Sequence, residues 1–179
     1  MPDTIQLHDK RFKLFISERD IVRKVGDLGR QIENDYANGN PIFIAVLNGA
    51  FMFAADLFKH FDMECSITFV KIRSYEGTSS SGTTKHLIGI EESLSGRHVV
   101  VIEDIVDTGR TLAALLPELE AHRPASIKVV ALVSKTEARV MEVPVHYLGF
   151  DIPDRFIVGY GLDYDGLGRN LRSIYQIED

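Results

Sequence analysis

Two neighbouring acids placed directly behind a run of β-branched residues are the first feature of this chain that could do chemistry. Residues 99–111 read VVVIEDIVDTGRT, so apolar residues lead into Glu103 and Asp104, and then into Asp107, Thr108, Gly109, Arg110 and Thr111. A strand that turns into a helix in this way gathers free backbone N–H groups, two threonine hydroxyls and the positive end of a helix dipole around one point, which suits a phosphate. Two carboxylates beside an anion site are costly unless they meet hydroxyl donors or a divalent cation. The ligand expected here is therefore a phosphorylated polyol with Mg²⁺. An acidic pair alone on a loop is more often a solvated surface feature; the whole arrangement argues otherwise.

Other residues say less by themselves. Lys135, in LVSKT, and Phe156, in IPDRFIVGYGLD, stand at the edges of strand patterns, where a lysine is usually a solvated charge and a phenylalanine usually core. Gly49, in LNGA, offers a backbone that can be approached closely. Cys65 lies in a strand pattern that fits simple packing, and the six histidines show no ligand spacing, so neither a nucleophilic thiol nor a zinc cluster is expected.

These groups need a particular succession of elements to position them. Ser17 with Asp20 has the form of a capping box, and Ile21, Val22, Val25, Leu28, Ile32 and Tyr36 recur at helical spacing until Asn38-Gly39-Asn40-Pro41 stops the pattern. The apolar run 42–47 is too short for a helix and reads as a strand buried on both faces; 50–61 looks helical. Strand patterns follow at 65–72, at 87–90 as a hairpin partner, and at 99–102, 127–133, 145–150 and 156–160. A helix is predicted at 111–122, with Pro117 as an obstacle. Residues 74–85, SYEGTSSSGTTK, have little apolar anchoring and two glycines and read as a long mobile loop. Strands alternating with helices imply an α/β fold with a mostly parallel sheet covered on both faces and ligands at the carboxyl ends of its strands.

Composition sets the outer bounds. A chain of 179 residues that is 45% apolar and 26% charged predicts one domain over 1–179, burying roughly 70% of its unfolded surface without staples. Lysine and arginine number 20 against 26 acids, a net charge of −6 that argues against a nucleic-acid partner. A single cysteine excludes an internal disulfide and points to a reducing compartment. The charged first sixteen residues fit neither a signal peptide nor a transit peptide, so the expectation is a cytoplasmic chain that starts at Met1. Residues 41–58 approach the length of a membrane span, but Asn48, Gly49 and Asp56 interrupt them, and no membrane partner is expected.

Residues 99–111 resemble the phosphoribosyl pyrophosphate (PRPP) signature of the type I phosphoribosyltransferases, and other positions between 42 and 171 resemble the hypoxanthine-guanine branch. The resemblance implies a parallel central sheet flanked by helices, a small hood built from terminal segments and a long flexible loop. It implies transfer of the 5-phosphoribosyl group from PRPP to N9 of a 6-oxopurine, hypoxanthine or guanine, giving IMP or GMP and pyrophosphate in purine salvage. Glu103 and Asp104 would hold the ribose hydroxyls directly or through Mg²⁺, and Asp107, Thr108, Gly109, Arg110 and Thr111 would cradle the 5′-phosphate. Asp107 would also face N7 of the base as the catalytic proton acceptor. Lys135 would donate to the 6-oxo group, Phe156 would stack on the purine, and the Ile157 backbone would meet its edge. Asp163, beside the base, would meet a second Mg²⁺, and Arg169 would contact the pyrophosphate.

Leu47-Asn48-Gly49-Ala50 resembles the pyrophosphate loop, although many members carry Lys or Arg where this chain has Asn48. Ser74 and Tyr75 resemble the start of a catalytic lid. The family also implies a homodimer or homotetramer. The alternatives are transfer to another base such as xanthine, or a non-enzymatic regulator of the same fold that binds nucleotides and RNA and would need a basic face.

Overall fold

The computed structural model describes residues 2–75, 84–88, 90 and 92–178. A six-stranded sheet carries the chain's main core, in the order β5-β4-β3-β6-β7-β8: β3 is Ile42–Leu47, β4 Ser66–Tyr75, β5 Thr84–Ile88, β6 His98–Val106, β7 Ser126–Ser134 and β8 Tyr147–Asp151. Only β5 runs antiparallel to its neighbour; the other five strands are parallel. Helices α1 (Glu18–Tyr36) and α2 (Phe51–Phe58) cover one face and α3 (Arg110–Ala121) covers the other.

Alternation along β3 divides the core. Phe43 and Ala45 are buried with Ile21, Val25, Leu28 and Ile32 of α1 and Phe53 and Leu57 of α2, while Ile42, Ile44 and Val46 are buried with Leu112, Leu115 and Leu119 of α3. That leucine stripe explains why α3 runs through Pro117. Burying three leucines contributes about 1.5–3 kcal/mol each, more than the ~3 kcal/mol a helix-interior proline costs. At the start of α1 the Ser17 hydroxyl donates to Asp20 (2.6 Å) and accepts from the Asp20 N–H (3.2 Å), a variant of the predicted box.

A second sheet, in the order β1-β2-β10-β9, joins the two ends of the chain: β1 is Thr4–Leu7, β2 Lys10–Ile16, β9 Ile157–Val158 and β10 Ile174–Ile177. All its pairings are antiparallel, and Phe12, Val158 and Tyr175 form its small core. This is the hood that the resemblance implied.

Some boundaries differ from those predicted. Helix α2 ends at Phe58, three residues before the predicted end, and β6 continues past 102 through the two acids to Val106. Residues 74–85 are not all loop: Ser74 pairs with Lys85 and Tyr75 with Thr84 in the β4–β5 hairpin. The rest of the predicted mobile loop, 76–83, lies outside the described residues. Among the described residues no helix is long and apolar enough to cross a membrane.

Strand order places the functional loops. From β3 the chain crosses by α2 to β4 on one side, and from β6 it crosses by α3 to β7 on the other, so the carboxyl ends of β3 and β6 flank a topological switch point.

Candidate active site

Two adjoining cavities open at this switch point. The larger, about 410 Å³, is lined by Val46 and Leu47 at the end of β3, by Gly49 just after it, and by 103–112 at the end of β6 and start of α3. The smaller, about 220 Å³, is lined by Lys135, Phe156, Ile157, Leu162, Asp163 and Arg169. Gly49, Asp104, Ile105 and Asp107 line both, so the two are halves of one cleft.

The larger half is built for an anion. Gly109 caps α3 at φ 80° and offers no side-chain cap, which leaves the N–H groups of the helix's first turn open toward the cavity. A Cβ at Gly109 would come within 2.6 Å of the Met141 carbonyl oxygen. The adjacent Thr108 carbonyl accepts from the N–H groups of Val140 and Met141 (3.1 and 3.0 Å), so residues 140–141 brace the turn from behind. Thr108, Arg110 and Thr111 complete the lining.

Glu103 and Asp104 are buried in its wall, at 4% and 9% exposure. Burial raises the Glu103 carboxyl well above the usual carboxylate range, and the Asp104 charge adds to it. Burial also pushes Asp104 up to about 6, although backbone N–H groups and Arg169 pull the other way. Two buried acids that resist ionisation fit a divalent cation. Among the described residues no three His, Cys, Asp or Glu are placed to hold a metal ion together, so such an ion would draw its other oxygens from substrate and water, as Mg²⁺ commonly does. Gly49 lies against Asp104 so closely that a Cβ there would collide with the carboxylate. Gly161, at φ 100°, lies equally closely on the Gly49 carbonyl, and the Leu47–Asn48 peptide is cis.

The smaller half combines an aromatic face with a buried cation. Phe156 is 45% exposed, leaving part of its ring free, and is backed by Phe12 and edge-on by Tyr164 at centroid distances of 6.3 and 5.8 Å. Lys135, 6% exposed at the end of β7, donates to Asp107 (2.8 Å) and Asp154 (3.1 Å). Burial alone would lower its ammonium; the two carboxylates outweigh that and raise it. Arg169 pairs with Asp163 at 2.6 Å and donates to the Gly161 carbonyl at 2.6 Å, joining the floor of this half to the glycine over Gly49.

The cleft thus brings together Glu103, Asp104, Asp107, Thr108, Gly109, Arg110, Thr111, Gly49, Lys135, Phe156, Ile157, Asp163 and Arg169. Asn48 differs: its exposed side chain accepts from Lys71 (3.4 Å) and lines neither half, so only its backbone neighbours face the cleft. Ser74 and Tyr75 are strand residues at the end of β4. Residue-by-residue reading missed Asp154, Tyr164 and residues 140–141. The first two lie within or just after the IPDRFIVGYGLD stretch, whereas 140–141 carry no local signal.

Comparison with known proteins identifies the family and the fold. Residues 16–165 match the family described as phosphoribosyl transferase domain. The hypoxanthine-guanine phosphoribosyltransferase of Streptococcus thermophilus is 44% identical over 160 residues, 89% of each chain. That of Aquifex aeolicus is 37% identical over 176 residues, 97% of this chain and 99% of the other. Among solved structures, a Bacillus anthracis hypoxanthine-guanine phosphoribosyltransferase matches with a TM-score of 0.85 at 38% identity, covering 93% of this chain and 98% of that one. A Trypanosoma cruzi hypoxanthine phosphoribosyltransferase, a variant in a ternary complex with its substrates, matches with a TM-score of 0.84 at 36% identity, covering 92% and 94%.

Proposed function

The chain belongs to the phosphoribosyltransferase family, and from that premise we propose that its cleft holds PRPP in the larger half and a 6-oxopurine in the smaller. The protein is a purine-salvage transferase: it moves the 5-phosphoribosyl group from PRPP to N9 of hypoxanthine or guanine and releases pyrophosphate. The observation that carries the assignment of the two halves is their shared wall. Asp104 and Asp107 border both, so a sugar held on one side presents C1 to a ring held on the other.

Charge governs what each residue does. Departure of pyrophosphate leaves an oxocarbenium-like ribosyl centre and a highly anionic leaving group. Arg169 and the N–H groups following Leu47 stabilise that leaving group, while the open first turn of α3 and Thr108 and Thr111 hold the 5′-phosphate. Glu103 and Asp104 would hold one Mg²⁺ and Asp163 a second, which would supply positive charge to the leaving group. Phe156 stacks the base, and the Ile157 backbone meets its edge. Lys135 donates to the 6-oxo oxygen; an ammonium cannot accept, so a 6-amino base is disfavoured. Asp107 takes the N7 proton as N9 bonds to C1.

We read residues 1–179 as one domain acting in the cytoplasm, with Ser74 and Tyr75 at the base of a lid that excludes water. We also read it as a homodimer or homotetramer: Phe51, which opens α2 directly after the 47–50 loop, and Phe69, which pairs with Ala45 on β4, are exposed at 41% and 42%. A panel of hypoxanthine, guanine, xanthine, adenine and uracil with PRPP and Mg²⁺, followed by pyrophosphate release, tests the reading. Turnover confined to 6-oxopurines is expected. Turnover with xanthine alone would select the other-base alternative, and RNA binding without any turnover would select the regulator.

A further inference from the structure

We infer that Asp154 is a positioning residue for the base, keeping the Lys135 ammonium aimed at the 6-oxo group while Asp107 is engaged by the ring. This rests on the assignment of the smaller half to a 6-oxopurine.

The geometry around Lys135 leads there. Its backbone is fixed by an N–H donated to the Val106 carbonyl (2.9 Å), at the end of the neighbouring strand. Its side chain is 7% exposed and divides two N–H donors between carboxylates on different loops: Asp107, after β6, at 2.8 Å and Asp154, between β8 and β9, at 3.1 Å. An ammonium has three protons, so one remains for a ligand oxygen. A base in this half also draws on Asp107, which weakens that carboxylate's hold on Lys135 just as the lysine is needed. Asp154 lines neither half of the cleft and so is free of that demand. Its side chain is 67% exposed, yet it reaches inward to a buried cation. Its backbone is held by a turn in which the Arg155 N–H donates to the Pro153 carbonyl (2.8 Å). Without Asp154, Lys135 would be left wholly to Asp107, and the incoming base would have to compete for both members of a tightened ion pair.

Steady-state kinetics of Asp154→Asn and Asp154→Glu, varying hypoxanthine and PRPP separately, test this, with thermal midpoints measured alongside. In the Asn variant the KM for hypoxanthine should rise roughly 5- to 10-fold, with kcat within about twofold and the KM for PRPP unchanged, since the charge-assisted bond that an exposed acid makes to a buried ammonium is lost. The Glu variant should recover most of that rise. An unchanged hypoxanthine KM in an active Asn variant overturns the role of Asp154. Equal rises for both substrates with a lowered thermal midpoint overturn it too, in favour of simple structural support. A parent chain that makes no nucleotide overturns the assignment of the cleft, and the role of Asp154 with it.

Discussion

Asp107 sits where three demands meet: it lines both halves of the cleft, accepts from Lys135 and, in the proposed reaction, receives a proton from the base. Replacing Asp107 with Asn keeps the size and the backbone cradle but removes the proton acceptor, so turnover should fall by roughly 10²- to 10⁴-fold with a smaller loss in binding. A variant within about threefold of the parent in single-turnover rate would remove the general-base role. Phe156→Ala should weaken purine binding by about 1–3 kcal/mol, the stacking scale, and leave PRPP affinity nearly unchanged. Equal losses for both ligands in calorimetry would show that the ring supports the cleft as a whole and does not stack on the base. At this scale the sequence was informative wherever adjacent residues make the chemistry, as in Glu103 to Thr111. It was silent on Asp154 and Tyr164, because their partners Lys135 and Phe156 become neighbours only through tertiary folding.

The elements bring distant loops within contact distance, and glycines at 49 and 161 allow the closest approach. Gly49→Ala would force a Cβ into the Asp104 carboxylate, displacing a group on which both halves depend. The variant should fold, because the clash is confined to the cleft, but kcat/KM should drop about 10²-fold or more, as expected for ångström-scale misplacement. Near-normal activity with an unshifted thermal midpoint would show that the close approach is dispensable. At the opposite end of the sheet Asp35, near the end of α1, accepts from Tyr147 of β8 (2.5 Å) and Lys128 of β7 (2.9 Å). The Tyr147 hydroxyl, then Lys128, hold its carboxyl below the usual range. The folded chain therefore binds this proton less readily than the unfolded chain. The stabilisation is present above about pH 4 and is lost as pH falls through the lowered folded value. Asp35→Asn should lower the stability at pH 7 by about 1 kcal/mol or less, because the pair is partly exposed, which is read as a lower thermal midpoint, and the gap to the parent should close in strong acid. A gap that does not change with pH would contradict this. The buried elements α1, β3 and β7 were legible because their apolar residues follow a helical period or form unbroken runs. Strands β1, β2 and β10 were not: in β2 only Phe12 and Ile16 are fully buried, so charged residues dominate the local pattern.

At the scale of the whole molecule, strand order decides where chemistry can occur: the reversal between β3 and β6 sets the 47–50 loop beside the 107–109 turn. The α/β class was legible from alternating strand and helix patterns, but strand order was not, since it depends on which crossovers turn left or right of β3. Two predictions belong here. Chelation should abolish turnover and Mg²⁺ should restore it, because Glu103 and Asp104 are otherwise buried acids without a cation; full activity in metal-free buffer would sink that arrangement. Sedimentation should show a dimer or tetramer that dissociates when Phe51 and Phe69 are both replaced by Ser, and an active parent monomer would remove the oligomer. The most direct measurement is a crystal structure of the protein with PRPP, Mg²⁺ and an unreactive hypoxanthine analogue. The account predicts the 5′-phosphate within hydrogen-bonding distance of the first turn of α3 and the purine on Phe156 with its 6-oxo oxygen on Lys135. A base bound anywhere else, or a phosphate lying away from residues 107–111, would contradict it.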